Sequence, residues 1–514
     1  MKKWRGRLNL KKVDTVVLLR AIVIFSPIIA GFIIASISGT SICNLDAWNT
    51  TWNDEIGYYR TVVTMREYGL PQGVNGYNEV RSALPSYGAY NYVTYLPYYL
   101  LSFLTGYTSH NFMVYANVLI MVLAHAFVVA LLKPGKVQSI ALIGFTLSHC
   151  ICARYTWSGM SECVTMAAAM IIISCAIYRL NYQRKAVLVM ELLAIYISAL
   201  IRPFLLAFLV YPIMEIVISK RKQNRKILEI LFVVGGALGG LILYFWMANN
   251  ICSKYFSEGN GTLSSFIDSF VKGKVFLSLK IILDCNFEAL KAIKNIVLEC
   301  GWTGVMILET TALFLFLSAG AIYSMKRDKK RFLISVCFLS IILLIYEANI
   351  IMYTPYQFHR IFLCVVTSGT ILCIMQFGYI MKIISQLSTI CVTMITMAVG
   401  GKAQYGLPQQ NGAIIDEYAV AEGFRQVMPY NEDKGWENTF ASPPYGDGLY
   451  LMYAMPSYLC GNCCGEEYLY EAISEHILKS RYIMIKDTDT ALAELCNREL
   501  QMVYNNNGYY IYKR

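Results

Sequence analysis

Long apolar runs separated by short basic clusters constrain this chain more than any other feature. A bilayer crossing needs about 20 predominantly apolar residues, and runs of that kind recur from Val16 to about residue 400. Lys and Arg gather beside them: six in residues 1–12, five in 220–226 and five in 325–331. Clusters placed this way mark loops retained on the cytoplasmic side during insertion. Hydrophobic residues make up 56% of the chain and charged ones 15%, against about 45–50% and 25% in soluble domains. A soluble enzyme, a disordered chain and a collagen-like chain are thereby excluded. The net charge of +11 is no nucleic-acid footprint either, because residues 401–514 reverse it with 15 acidic against 9 basic side chains.

The charge pattern and the run lengths predict about eleven spans, the first over 16–38 and the last over 383–400. The run 186–218 is too long for one crossing at 1.5 Å per residue, and both its flanks are basic. Two short spans meeting near Arg202-Pro203 satisfy both facts. The N-terminus is then cytoplasmic and residues 401–514 lie outside. The expected fold is a multi-span α-helical membrane protein, with a transmembrane domain 1–400, a long first outer loop 39–110 and a small extracytoplasmic α/β domain 401–514. In that domain, period-two patches at 481–486, 501–504 and 509–512 predict strands, and Asn505-Asn-Asn-Gly508 predicts a hairpin turn. Between the first two patches, 488–500 has helical spacing. The outer loop 248–302 contains an amphipathic stretch around 266–283, expected to lie on the outer leaflet.

Two adjacent carboxylates, Asp54 and Glu55, stand shortly after the first span in Trp48-Asn-Thr-Thr-Trp-Asn-Asp-Glu-Ile-Gly-Tyr-Tyr-Arg60. A carboxylate among aromatic rings at an interface loses water, and its proton affinity rises toward that of a useful base. The competing reading is a helix start, with Asn53 as cap and two acids favourable to the dipole. Tyr58, Tyr59, Arg60 and Arg81 share the loop and are candidates for substrate contact. Tyr87, Tyr90, Tyr92, Tyr95, Tyr98 and Tyr99 either line a groove or form an interfacial belt.

Asp54-Glu55 after the first span, Arg202-Pro203 midway and Phe358-His-Arg-Ile-Phe362 before a late span together resemble the GT-C class of polyprenyl-phosphate-sugar-dependent glycosyltransferases. That class includes the protein O-mannosyltransferases and the lipid A aminoarabinose transferases. The resemblance implies a hexosyl- or pentosyltransferase of the cell envelope, set in a bacterial plasma membrane. It implies a polyprenyl-phosphate-linked donor and a glycan, lipid or protein acceptor. Asp54 and Glu55 are its catalytic candidates; Arg202, His359 and Arg360 are its donor-phosphate candidates, because arginine grips phosphate oxygens in pairs. Each also has a plainer reading: Arg202 as partner of Glu347, Arg360 as an interface anchor, His359 as structural. No cofactor is assigned, and a divalent cation stays an open alternative. A transporter or flippase of lipid-linked sugars is the second functional reading. Of sixteen cysteines, those in the tail are expected to form at least one disulfide.

Overall fold

A computed structural model describes residues 14–38, 42, 53–68, 92–107, 111–182, 184–219, 222–250, 261–299, 301–353, 355–377, 423–431, 436–443, 456, 459–463, 465–506 and 508–514. Helix α1, Thr15–Ser38, is the first long apolar run. Pro27 sits inside it and cannot donate to the carbonyl of Val23; the Ser26 hydroxyl donates there instead, at 2.8 Å. α2 (Asn53–Tyr68) and α3 (Tyr92–Thr105) follow, then α4 (Phe112–Leu132), α5 (Lys136–Ser148), α6 (Cys150–Thr156) and α7 (Glu162–Asn181).

α8 (Lys185–Ile201) stops before Pro203, and a 3₁₀ segment, Pro203–Leu209, leads into α9 (Val210–Ile218). The break expected from the length of this run falls at Arg202-Pro203. α10 (Gln223–Asn250), α11 (Gly261–Val271), α12 (Val275–Leu298), α13 (Trp302–Ser324) and α14 (Lys329–Met352) complete the central part. A 3₁₀ turn, Pro355–Gln357, α15 (Phe358–Ile361) and α16 (Leu363–Gln376) close it.

Among the described residues six helices, α1, α4, α7, α10, α13 and α14, are long and apolar enough to cross a membrane. They become seven if Pro355–Ile361 and Leu363–Gln376, bent by 50°, count as one span. The expected eleven crossings are thus not all matched. Some fall on shorter helices such as α5, α8 and α9, and the last, 383–400, lies outside the described residues. The stretch 266–283 expected to be one amphipathic element is divided by the turn at 272–274 between the end of α11 and the start of α12. α12 buries Ser278, Ala289 and Ile296 and leaves Phe276 90% exposed.

Two side-chain networks mark one end of the bundle. Arg20 of α1 donates to the carbonyls of Lys133 (2.8 Å) and Pro134 (2.9 Å) after α4. Arg179, in the last turn of α7, pairs with Glu191 of α8 and Glu215 of α9. Lys330, from the basic run 325–331, lines a cavity with Arg179 at this end. Glu162 opens α7, so it stands about 25 Å away along the helix at 1.5 Å per residue. That separation approaches the hydrocarbon thickness of a bilayer.

The tail forms a five-stranded sheet in the order β2-β1-β3-β5-β4, with β1 Thr439–Ser442, β2 Cys460–Cys463, β3 Tyr482–Lys486, β4 Gln501–Asn506 and β5 Tyr509–Lys513. β1 runs parallel to β2 and β3; β5 is antiparallel to β3 and β4. Side chains of β3 alternate between two faces. Ile483 and Ile485 join Leu469, Leu492 and Leu495 from α17 (Glu466–Ser474) and α18 (Thr490–Glu499). Tyr482 and Met484 pack with Phe424, Phe440 and Leu459 on the other face. The hairpin turn falls as expected, with Gly508 at φ +80°, a conformation glycine adopts without steric cost. Cys496 is a free thiol in the tail core, and burial pushes it up to about 12. The other tail cysteines' side chains lie outside the described residues.

Candidate active site

The site forms at the Glu162 end, around the turn 157–161 between α6 and α7. This turn exposes backbone groups to a buried setting, so each needs a partner. Asn117 of α4 supplies two donations, to the carbonyls of Ser158 (2.6 Å) and Met160 (3.0 Å). Its carbonyl oxygen accepts from the Tyr98 hydroxyl of α3 at 2.8 Å. Arg154 of α6 donates to the Trp157 carbonyl at 2.9 Å. The Trp157 indole N–H donates to the Pro27 carbonyl of α1 at 2.8 Å. Gly31, one turn on, leaves room for that ring: a Cβ there would come within 2.0 Å of it.

α2 docks on the same turn. Glu55, 1% exposed, accepts from the Gly159 N–H through Oε1 at 2.9 Å. Burial holds the Arg154 guanidinium below its ordinary proton affinity, and the nearby Glu55 charge opposes that loss. The bond to Gly159 fixes the first turn of α2 against the turn 157–161. Asp54 precedes Glu55 in that turn; its side chain lies outside the described residues, as does Arg81.

The expected phosphate-binding arginines converge. Arg202 reaches Glu162 Oε1 through Nη2 at 3.1 Å, and Arg360 reaches the same oxygen through Nε at 2.8 Å and Nη2 at 2.7 Å. The Arg202 side chain also reaches the Tyr353 hydroxyl at 3.4 Å. Glu162 is 2% exposed, and its Oε2 has no hydrogen-bond partner. A buried acceptor is normally satisfied, and this oxygen is one of the exceptions among the described residues. Glu162 was not among the residues expected from sequence. The signal for it was parity: Ser161-Glu162 opens a span on the same side as Asp54-Glu55.

His359 stands beside this triad without joining it. Its Nδ1 lies 2.9 Å from the Thr303 hydroxyl and 3.1 Å from the Tyr356 carbonyl. The rings of Tyr155 and Trp302 each lie 6.3 Å from the imidazole. Arg202 does not pair with Glu347, which accepts from Asn286 at 3.1 Å instead.

Other expectations need correction. Tyr58 (1% exposed) and Tyr59 (9%) are core residues of the bundle, packed on Tyr95 and Phe112. Neither offers an open ring face to a sugar. Tyr95 and Tyr98 are likewise fully buried, so they line no open groove. Arg60, also buried, donates to the carbonyls of Pro456 (2.9 Å) and Leu459, which ties α2 to the tail rather than to a substrate. Arg425 of the tail faces Glu67 at the other end of α2, at 3.7 Å.

Among the described residues no group of three His, Cys, Asp or Glu side chains is placed to hold a metal ion. Glu55 Oε1 is engaged by an amide and Glu162 Oε1 by two guanidinium groups.

No protein-family profile matches the chain, and no curated protein matches it in sequence. Solved structures do match. The oligosaccharyltransferase of Archaeoglobus fulgidus in its apo form aligns with 96% of this chain and 73% of its own, at 13% identity and a TM-score of 0.51. The same enzyme with Zn and sulfate aligns at 14% identity and a TM-score of 0.49, again over 95% and 73%. The apo likeness extends to the fold, which is that of the GT-C glycosyltransferases.

Proposed function

We propose that this chain is an integral membrane glycosyltransferase. It moves a sugar from a polyprenyl-phosphate donor to an acceptor hydroxyl of a glycan, lipid or protein, on the face opposite its basic loops. The observation that carries this reading is the meeting of Arg202 and Arg360 on Glu162, beside the turn that receives the first turn of α2. A sugar phosphate already has its leaving group. The protein must hold that group, take one proton and keep water away.

In this reading the donor phosphate sits against Arg202 and Arg360, which take up the charge as the bond between the anomeric carbon and the phosphate oxygen breaks. The acceptor oxygen attacks from the opposite side, so the anomeric centre inverts. Its proton goes to Asp54. Glu162 holds the two guanidinium groups in place. Glu55 positions α2 and does not touch the reacting atoms. The face carrying the basic loops is cytoplasmic, and the tail lies outside.

The transporter reading is less well supported. Such proteins keep substrate-binding charges free near the midplane, whereas His149 and Glu309 here close on each other at 2.8 Å. The deciding experiment uses purified protein in liposomes with a radiolabelled polyprenyl-phosphate sugar and a panel of glycan, lipid and peptide acceptors. Transfer with inverted anomeric configuration is expected. Movement of donor between leaflets with no transfer to any acceptor would favour the transporter.

A further inference from the structure

The hydrogen bonds around His359 decide which of its ring nitrogens carries the hydrogen. Nδ1 lies 3.1 Å from the Tyr356 carbonyl oxygen and 2.9 Å from the Thr303 hydroxyl, which itself donates to that carbonyl at 3.0 Å. A carbonyl oxygen only accepts, so the hydrogen belongs on Nδ1. With the hydrogen on Nε2 instead, two lone pairs would face each other across 3.1 Å. Nε2 is therefore an acceptor, and among the described residues it has no hydrogen-bond partner. His359 is half-buried, and Nε2 is not among the sealed polar atoms of the bundle.

That acceptor stands beside the paired arginines. The imidazole is close enough to Arg360 and Glu162 for both charges to act on it. The rings of Tyr155 and Trp302 flank it, each centred 6.3 Å away. Tyr155 is fully buried, while Trp302 is half-buried and offers partly open aromatic surface next to the nitrogen. A phosphate diester suits this nitrogen poorly, because it has no hydrogen to give and its oxygens would meet the Nε2 lone pair. A sugar suits it well, with hydroxyl donors and C–H groups on one ring.

We infer that His359 binds the sugar of the donor and not its phosphate. One sugar hydroxyl donates to Nε2, and the sugar lies along Trp302. The inference rests on the glycosyl-transfer reading and adds the residue that senses which sugar the carrier holds. It moves His359 out of the phosphate-binding group in which its sequence neighbourhood had placed it.

The test compares binding of two ligands that share a phosphate, on full-length protein in one detergent: bare polyprenyl phosphate, and polyprenyl phosphate carrying glucose, mannose, galactose or arabinose. His359→Asn puts an amide nitrogen near the Nδ1 position and leaves nothing at Nε2. His359→Gln reaches the Nε2 position with an oxygen that accepts. His359→Asn is expected to weaken the best-bound sugar donor about tenfold and bare polyprenyl phosphate by no more than about twofold, while His359→Gln stays within about threefold of wild type for both. An equal loss for both ligands in His359→Asn assigns the residue to the phosphate or to the fold and overturns the sugar contact, as does no loss for either. Wild-type protein that binds none of the sugar donors overturns it too. Selective loss in His359→Asn from a protein that transfers no sugar in liposomes would keep the contact and remove the reaction; transfer by a protein whose binding His359→Asn leaves unmoved would do the reverse.

Discussion

Arg360 closes on Glu162, with Nε and Nη2 at 2.8 and 2.7 Å from one carboxylate oxygen. The two residues are 198 positions apart in sequence, so the contact is made by the fold alone. It holds Arg360 in place, and in the proposed reaction that guanidinium would take up the charge of the leaving phosphate. Truncating Arg360 should therefore act on the donor. Arg360→Ala is expected to raise the donor KM about tenfold or more while the acceptor KM stays within about twofold. Steady-state assays with each substrate varied in turn check this, and an unchanged donor KM removes Arg360 from phosphate contact.

Glu55 does two things in the structure: it accepts from the Gly159 amide and it faces the Arg154 charge. Glu55→Gln keeps an acceptor and loses the charge; Glu55→Ala loses both. Stability is expected to fall in that order, with the unsatisfied Gly159 amide alone costing about 1–3 kcal/mol in the alanine variant. Thermal unfolding in one detergent measures it. An alanine variant as stable as wild type would show that the Gly159 bond does not hold α2.

Arg60 joins the helix bearing Asp54 and Glu55 to the tail, through carbonyls about 400 residues away in sequence. Arg60→Met keeps the bulk of the side chain and removes its donors. The tail should open more often, so cleavage between bundle and tail under limited proteolysis is expected to rise several-fold while the bundle stays intact. Unchanged cleavage would mean that other contacts hold the tail.

The parts of this architecture legible in the sequence are those set by local pattern. Strands β3 to β5 and their hairpin follow from alternation and Asn-Gly chemistry, and the break after α8 follows from Arg202-Pro203 in an over-long apolar run. Arg202 and Arg360 were legible as a pair because both stand where a span ends on one side. Glu162 was not, because an acid in a first helical turn is already explained by the helix dipole. Tyr58 and Tyr59 were misread for a related reason. With Val62 and Val63 they repeat at three and four residues, the spacing of a buried helix face, yet beside two acids they stood as candidates for substrate contact. Arg60 carried no local signal, since its partners are backbone carbonyls of a distant segment.

Everything proposed about the reaction converges on one carboxyl group, which the first turn of α2 carries next to Glu55. The most direct measurement compares sugar transfer by wild-type and Asp54→Asn protein, purified in the same detergent with matched thermal unfolding. Loss of turnover by about a thousandfold or more, with donor affinity retained, is the expected result for removal of the catalytic base. Transfer at the wild-type rate by a folded Asp54→Asn protein would contradict the account.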